Sequence, residues 1–101
     1  MLGNGDFVSR VLELVDSIPP GTAMAYGEVA AALGSRAPRA VGQVMARYGG
    51  VVAWWRVVQA SGHPAVDHST QALAHYRAEG TPLRWSGEVY RVDLAAARHR
   101  P

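Results

Sequence analysis

The 101-residue chain contains no cysteine and no lysine. Without cysteine there are no disulfides, no thiolate metal sites and no thiol nucleophile. Its ten basic residues are therefore all arginine, so every cation is a planar, permanently charged fork. No apolar run is long enough to span a bilayer. The opening Met1-Leu2-Gly3-Asn4-Gly5-Asp6 has neither the basic start nor the apolar stretch of a signal peptide, so a cytoplasmic protein is expected. The sequence carries no internal repeat, low-complexity tract or linker.

A hydrophobic fraction of 49% suits a folded chain, and at this length one domain over residues 1–101, with a single modest core, is expected. Net charge is only +2. Its distribution says more. No acidic residue lies between Glu28 and Asp67, and that gap holds Arg36, Arg39, Arg47 and Arg56. A purely cationic middle could follow a phosphate backbone. An arginine-rich composition inherited from a GC-rich genome would look the same.

Phe7, Val8, Val11, Leu12, Leu14, Val15 and Ile18 recur at helical spacing, which predicts a first helix over roughly residues 6–17, stopped by Pro19-Pro20-Gly21. Thr22-Ala23-Met24-Ala25 leads into a second helix from Tyr26 to Leu33, closed by Gly34. Pro38 opens a third that runs to about Tyr48. Two short helices across such a turn predict a helix-turn-helix with the later helix as reader. Gly49-Gly50 ends it. Val51-Val52-Ala53 and Val57-Val58 are expected to be extended, with Trp54 and Trp55 held between them. After a turn at Gln59–Gly62 and a loop from His63 to His68, Ser69 is placed to cap a fourth helix through Glu79, ended by Gly80. Leu83–Trp85 and Val89–Val92 read as a hairpin across Ser86-Gly87-Glu88. Asp93 is placed to cap a last short helix before an exposed Arg98-His99-Arg100-Pro101.

Four stretches occur in an order that carries a resemblance: Ile18-Pro19-x-Gly21, Ala25-Tyr26-Gly27-Glu28-Val29-Ala30, Arg39-Ala40-Val41-Gly42 and Trp54-Trp55-Arg56-Val57-Val58. Together they resemble the DNA alkyltransferases that repair O-6-alkylguanine, over about residues 6–85. In that family the last motif is Pro-Cys-His-Arg-Val, and its cysteine accepts the alkyl group. Here Trp54 stands where the cysteine falls and Trp55 where the activating histidine falls. Tryptophan offers no thiolate. The chain is thus similar to the alkyltransferase-like proteins, the non-enzymatic branch that binds the lesion and leaves it in place.

The resemblance implies a small α+β, mainly helical winged helix-turn-helix domain like the C-terminal domain of the alkyltransferases. It also implies a role for each matching residue. Arg39 would fill the duplex where a nucleotide has been turned out. Tyr26 would press on the target phosphate and help that rotation, and extracting a base costs a few kcal/mol, least where a damaged base pairs poorly. Ala40 and Gly42 would let the reading helix approach the narrow minor groove. Arg36 and Arg47 join this DNA-binding set. Trp54 would form a wall of the lesion pocket, with Tyr26, Trp55 and Arg56 as its other members. Trp55 is the better candidate for packing beneath the pocket, and Arg56 for fixing the loop through backbone carbonyls.

Three departures bear on the site. The span from Arg39 to the tryptophans is shorter than in the enzymes, their hinge asparagine is absent, and Ala25 replaces a serine. Glu79 matches the glutamate that orients the enzymes' histidine and is left as a helix-end residue or a structural hydrogen-bond partner. The expected partners are duplex DNA containing O-6-alkylguanine and proteins of nucleotide excision repair. No cofactor, metal or membrane is expected, and the chain is expected to be a monomer.

Three rival readings are weaker. His63, Asp67, His68 and His75 could suggest a metal, but their spacing fits no tight zinc motif. A transcriptional regulator reading undamaged DNA would offer more base-reading side chains on its third helix than Gln43 between Arg39 and Arg47. No paired carboxylates, Ser-His-Asp order or phosphate-cradling glycine loop supports an enzyme of another kind.

Overall fold

The computed structural model describes residues 3–101, with side chains from Phe7 onward. Helix α1 (Gly3–Asp16) leads through the Pro19-Pro20 turn to a two-residue strand β1 (Met24–Ala25), then α2 (Tyr26–Ala32) and α3 (Pro38–Tyr48). Strand β2 (Val57–Val58) follows two single 3-10 turns, Gly49–Val51 and Trp54–Arg56. The remainder is α4 (Ser69–Glu79), the hairpin β3 (Leu83–Ser86) and β4 (Val89–Val92), and a short α5 (Leu94–Ala97). The α+β winged helix-turn-helix expected from the sequence is the fold found.

Two apolar clusters hold these elements. Val11, Val15 and Ile18 of the first helix and its exit pack with Met24, Val29, Val41, Val44 and Val57, joining α1, α2 and α3. Val58, Ala72, Tyr76, Tyr90, Val92 and Leu94 join α4, the hairpin and α5. Strands β1 and β2 stand at the seam, pairing in parallel with Met24 opposite Val57 and Ala25 opposite Val58. Trp54 packs against both clusters.

The local chemistry explains the boundaries. Pro38 occupies the first turn of α3, where its missing N–H costs nothing. Gly34 and Gly80 end α2 and α4 with φ of +74° and +69°, as their placement predicted. Asp93 caps α5 through the Ala96 N–H. Glu28 reaches back to the Ala25 N–H at 2.8 Å, half of a capping box; the other half needs the hydroxyl that Ala25 lacks.

Two expectations are corrected. Val51-Val52-Ala53 is not a strand: the chain after α3 tightens into a 3-10 turn, with the Val52 N–H on the Gly49 carbonyl at 3.1 Å. The tryptophans begin a second such turn, and Val57–Val58 after them is extended as expected. Ser69 does not cap α4; His68 precedes the helix without a side-chain bond, and the Ser69 carbonyl accepts the Tyr90 hydroxyl at 2.5 Å. In the tail, Arg98, Arg100 and Pro101 are exposed as expected and His99 is partly covered, with the His99 N–H on the Ala23 carbonyl at 2.9 Å and Arg98 paired with Glu28 at 2.6 Å. β1 had no signal in the sequence, because a two-residue strand has no periodicity to read.

Candidate nucleic-acid interface

Helix α3 presents two faces. Val41, Val44 and Met45 turn into the first core cluster. Arg39, Gln43 and Arg47, spaced four residues apart and all exposed, form a ridge along the outside. Arg36, in the turn before it, is exposed as well. Among the described residues neither Arg36 nor Arg39 makes a side-chain hydrogen bond or ion pair, and Arg47 lies over the Tyr48 ring at 5.9 Å. Such a ridge of hydrated guanidinium groups beside a helix is suited to phosphate.

Between the core face and the ridge, Gly42, Met45, Ala46 and Gly49 line a cleft of about 580 Å³. Tyr26, from the start of α2, and Trp54 form further walls, closed by Ala65, Val66, His68 and Gln71. That volume is within the range of small-ligand clefts, about 300–1,000 Å³. Two other grooves, of about 460 and 410 Å³, lie along the hairpin and include no α3 residue. The cleft beside α3 is the one that brings together Tyr26, Gly42 and Trp54 from separate motifs.

Gly42 has nothing within 4 Å of where a Cβ would stand. No close neighbour therefore requires glycine there, although glycine weakens a helix interior. The slimness it gives α3 faces outward. Ala40, half-buried at the start of the same helix, lies outside the cleft. Burial raises the Tyr26 phenol above its ordinary value, so its hydroxyl stays protonated at neutral pH.

Trp55 and Arg56, expected as pocket residues, are not on the cleft wall. They lie behind it because their polar atoms are used internally. The Trp55 Nε1–H donates to Glu79 Oε2 at 2.9 Å, and its ring stacks on His75 with centroids 3.6 Å apart and planes 7° from parallel. Arg56 holds the Ile18 carbonyl through Nη1 at 2.8 Å, a carbonyl of the α1 exit rather than of its own loop. It also grips Glu79 twice, through Nε at 3.1 Å and Nη2 at 2.7 Å. The Gly21 N–H donates to Glu79 Oε1 at 3.0 Å. Burial alone would raise the Glu79 carboxyl; hydrogen bonds from Arg56, the Gly21 amide and Trp55 outweigh it and hold the group below the usual carboxylate range. Glu79 is thus a hydrogen-bond hub, the structural role left open for it.

Ala46 belongs with Ala40 and Gly42 to the small residues that the sequence marks on the reading helix; the cleft residues Met45 and Gly49 were not singled out for the site, though they follow Gly42 at the i+3 and i+7 positions of one helix face. His68 and Gln71 arrive by tertiary folding, and no local pattern marks them. Among the described residues no three His, Asp or Glu side chains gather as metal ligands. His63 Nδ1 instead meets the Ser61 hydroxyl at 2.7 Å. No described helix is long and apolar enough to cross a membrane.

This fold and cleft define a nucleic-acid-binding domain of one family. The family profile described as "6-O-methylguanine DNA methyltransferase, DNA binding domain" matches residues 6–80, and the chain belongs to that family. Among curated proteins it is 38% identical to the DNA base-flipping protein of Escherichia coli (strain K12) over 91 residues, covering 82% of this chain and 68% of the relative. The DNA base-flipping protein of Shigella flexneri matches to the same extent. Among solved structures, S. pombe Atl1 in complex with damaged DNA containing O6-carboxymethylguanine superposes with a TM-score of 0.84 at 25% identity, covering 96% of this chain and 97% of that one. S. pombe ATL in complex with DNA gives 0.82 at 27% identity, with the same coverage. These likenesses bear out the resemblance to the alkyltransferase-like proteins.

Proposed function

We propose that this chain binds duplex DNA containing an O-6-alkylated guanine, approaching from the minor groove and taking the extruded nucleotide into the cleft between α3 and Trp54. The observation that carries the reading is the cleft itself, which lies beside the Arg39–Gln43–Arg47 ridge and ends on an indole in a chain without a thiol. Arg39, at the exposed start of α3, fills the gap in the stack. Tyr26 borders the cleft with a neutral hydroxyl and turns the nucleotide. Trp54 receives the base by stacking or edge contact, worth about 1–3 kcal/mol for a base on an aromatic ring.

No alkyl transfer follows. The family's acceptor for the O-6 alkyl carbon is a cysteine thiolate; this chain has no cysteine, and the indole at that position cannot ionise to a comparable nucleophile. The product is a persistent complex, and it flags the lesion for nucleotide excision repair. The curated relatives named for base flipping and the Atl1 complex with O6-carboxymethylguanine DNA support this reading.

One experiment tests it. Binding to a single duplex, with and without O-6-methylguanine, is measured for wild type, Arg39→Ala and Trp54→Ala. The wild type is expected to prefer the modified duplex, Arg39→Ala to weaken binding, and Trp54→Ala to erase much of the preference. Intact-protein mass is expected to stay constant on incubation. Equal affinity for both duplexes, or a gain of one methyl on the protein, overturns the proposal.

A further inference from the structure

We infer that Trp55 is a positioning residue for Trp54, and that its N–H···Glu79 bond is the contact through which it sets discrimination between modified and intact guanine. The inference rests on the lesion-binding reading above.

Trp54 is only partly buried, and among the described residues its indole N–H has no hydrogen-bond partner. Its orientation at the cleft therefore depends on packing, against the two core clusters and against the rings around it. Trp55 meets it edge-on, with centroids 5.7 Å apart and planes at 87°. His75 approaches at 5.8 Å and 79°, and His68 at 5.4 Å and 56°. Of these, His68 is itself exposed, so the firm backing is the Trp55–His75 stack.

Trp55 in turn is fixed at three points, all on one turn of α4. Its ring lies on His75, its N–H is on Glu79, and its carbonyl accepts the Tyr76 hydroxyl at 2.5 Å. Burial raises the Tyr76 phenol, which keeps that hydroxyl a donor at neutral pH. The Arg56 guanidinium sits 5.5 Å from the Trp55 ring centroid and adds a cation–π contact. Trp55 thereby couples α4 to a neighbouring ring that has no hydrogen bond of its own to fix its plane.

The N–H is the sensitive link. A carboxylate offers about four acceptor sites. On Glu79 three are taken by the Gly21 amide and the two Arg56 contacts, and Trp55 supplies the fourth donor. Indole only donates, so the bond has one polarity and leaves the ring plane no alternative partner. Phenylalanine would keep the plate and lose the donor. Histidine, smaller but able to donate, would keep the bond.

The test uses a Trp85→Phe background, because Trp85 lies on β3 outside the cleft. Trp55→Phe and Trp55→His in that background leave Trp54 as the single tryptophan of the chain's three. Trp55→Phe is expected to lower the ratio of modified-duplex to intact-duplex affinity about tenfold, the scale of one bond to a charged group. Its affinity for intact duplex is expected to stay within about twofold, and Trp55→His to hold the ratio. Acrylamide is expected to quench Trp54 more strongly in free Trp55→Phe than in free Trp55→His. The inference is overturned if Trp55→Phe keeps the ratio, or if Trp55→His loses as much as Trp55→Phe. It is also overturned if both duplexes weaken together in step with the melting temperature, which marks fold support alone. Should the parent protein show no preference for the modified duplex, the lesion-binding reading fails. The quenching comparison in the free protein then decides the brace, and equal quenching overturns it.

Discussion

Arg56 and Glu79 close on each other as a two-point ion pair, Nε to Oε1 at 3.1 Å and Nη2 to Oε2 at 2.7 Å, with side chains only 14% and 12% exposed. The pair joins three places distant in sequence: the α1 exit at Ile18 and Gly21, the tryptophan turn, and the end of α4. It fastens the back of the cleft where the two core clusters meet.

Glu79→Gln removes the charge and leaves Arg56 unpaired in a mostly buried site. Such half-removed pairs are costly, and a loss of about 2–4 kcal/mol in urea unfolding is expected. The wild-type pH dependence follows from the depressed carboxyl. Its contribution is fully present above the ordinary glutamate range and is lost as pH falls through the lower folded-state value. Stability curves from pH 7 downward are expected to converge in acid, with a shallower acid limb for Glu79→Gln. Parallel limbs would remove Glu79 from the account of acid unfolding.

Gly42→Ala separates the needs of the fold from those of the ligand. With open space at the Cβ position, the fold gains helix propensity, and unfolding stability is expected to rise by about 0.5–1 kcal/mol. If α3 lies against a narrow groove, the added methyl stands in the way, so DNA affinity is expected to fall while the protein grows more stable. A stabilised variant with undiminished binding would show that this face of α3 stays clear of the nucleic acid.

The arginine ridge predicts a difference in kind between its members. The proposed function makes Arg47, exposed at the end of α3, a phosphate contact. Arg47→Ala is expected to weaken modified and intact duplexes alike and to reduce the slope of log K against log salt by about 1. Arg39→Ala, by contrast, is expected to cost more on the modified duplex, because filling the stack matters only when a nucleotide has left it. Salt titrations on both duplexes distinguish the two.

The parts of this molecule that were legible in the sequence are those written in local chemistry. Pro38, Gly34, Gly80 and Asp93 marked helix ends, and the period of Phe7 to Ile18 marked α1, because capping and amphipathicity act over a few residues. Trp54 and Tyr26 were found through motifs and do share the cleft. What stayed hidden depends on distant partners. Trp55 and Arg56 left the pocket wall because Glu79, more than twenty residues on, draws their polar atoms inward. The two-residue β1–β2 pair and the place of His68 and Gln71 on the cleft arise from contacts between segments far apart in the chain, which no local pattern marks.

Gly62 tests whether the far wall of the cleft is held from outside it. Its φ of +94° belongs to the left-handed side that glycine tolerates, and a Cβ there would stand 2.2 Å from the Val92 carbonyl oxygen. The same residue accepts the Val92 N–H at 2.8 Å and donates to the Gln59 carbonyl at 2.8 Å. The turn is therefore pressed against the end of β4, and the loop bearing Ala65, Val66 and His68 leaves from it. Gly62→Ala meets backbone on both counts, strain and space, and is expected to cost more than about 2 kcal/mol. Gly87, at the hairpin tip with φ of +61° and nothing within 4 Å, is the control; Gly87→Ala is expected to cost only about 1 kcal/mol of backbone strain. At temperatures where both variants are folded, Gly62→Ala is expected to bind the modified duplex less tightly than Gly87→Ala. Equal binding by the two would mean that the loop takes its shape from the cleft and α4, not from its seat on β4.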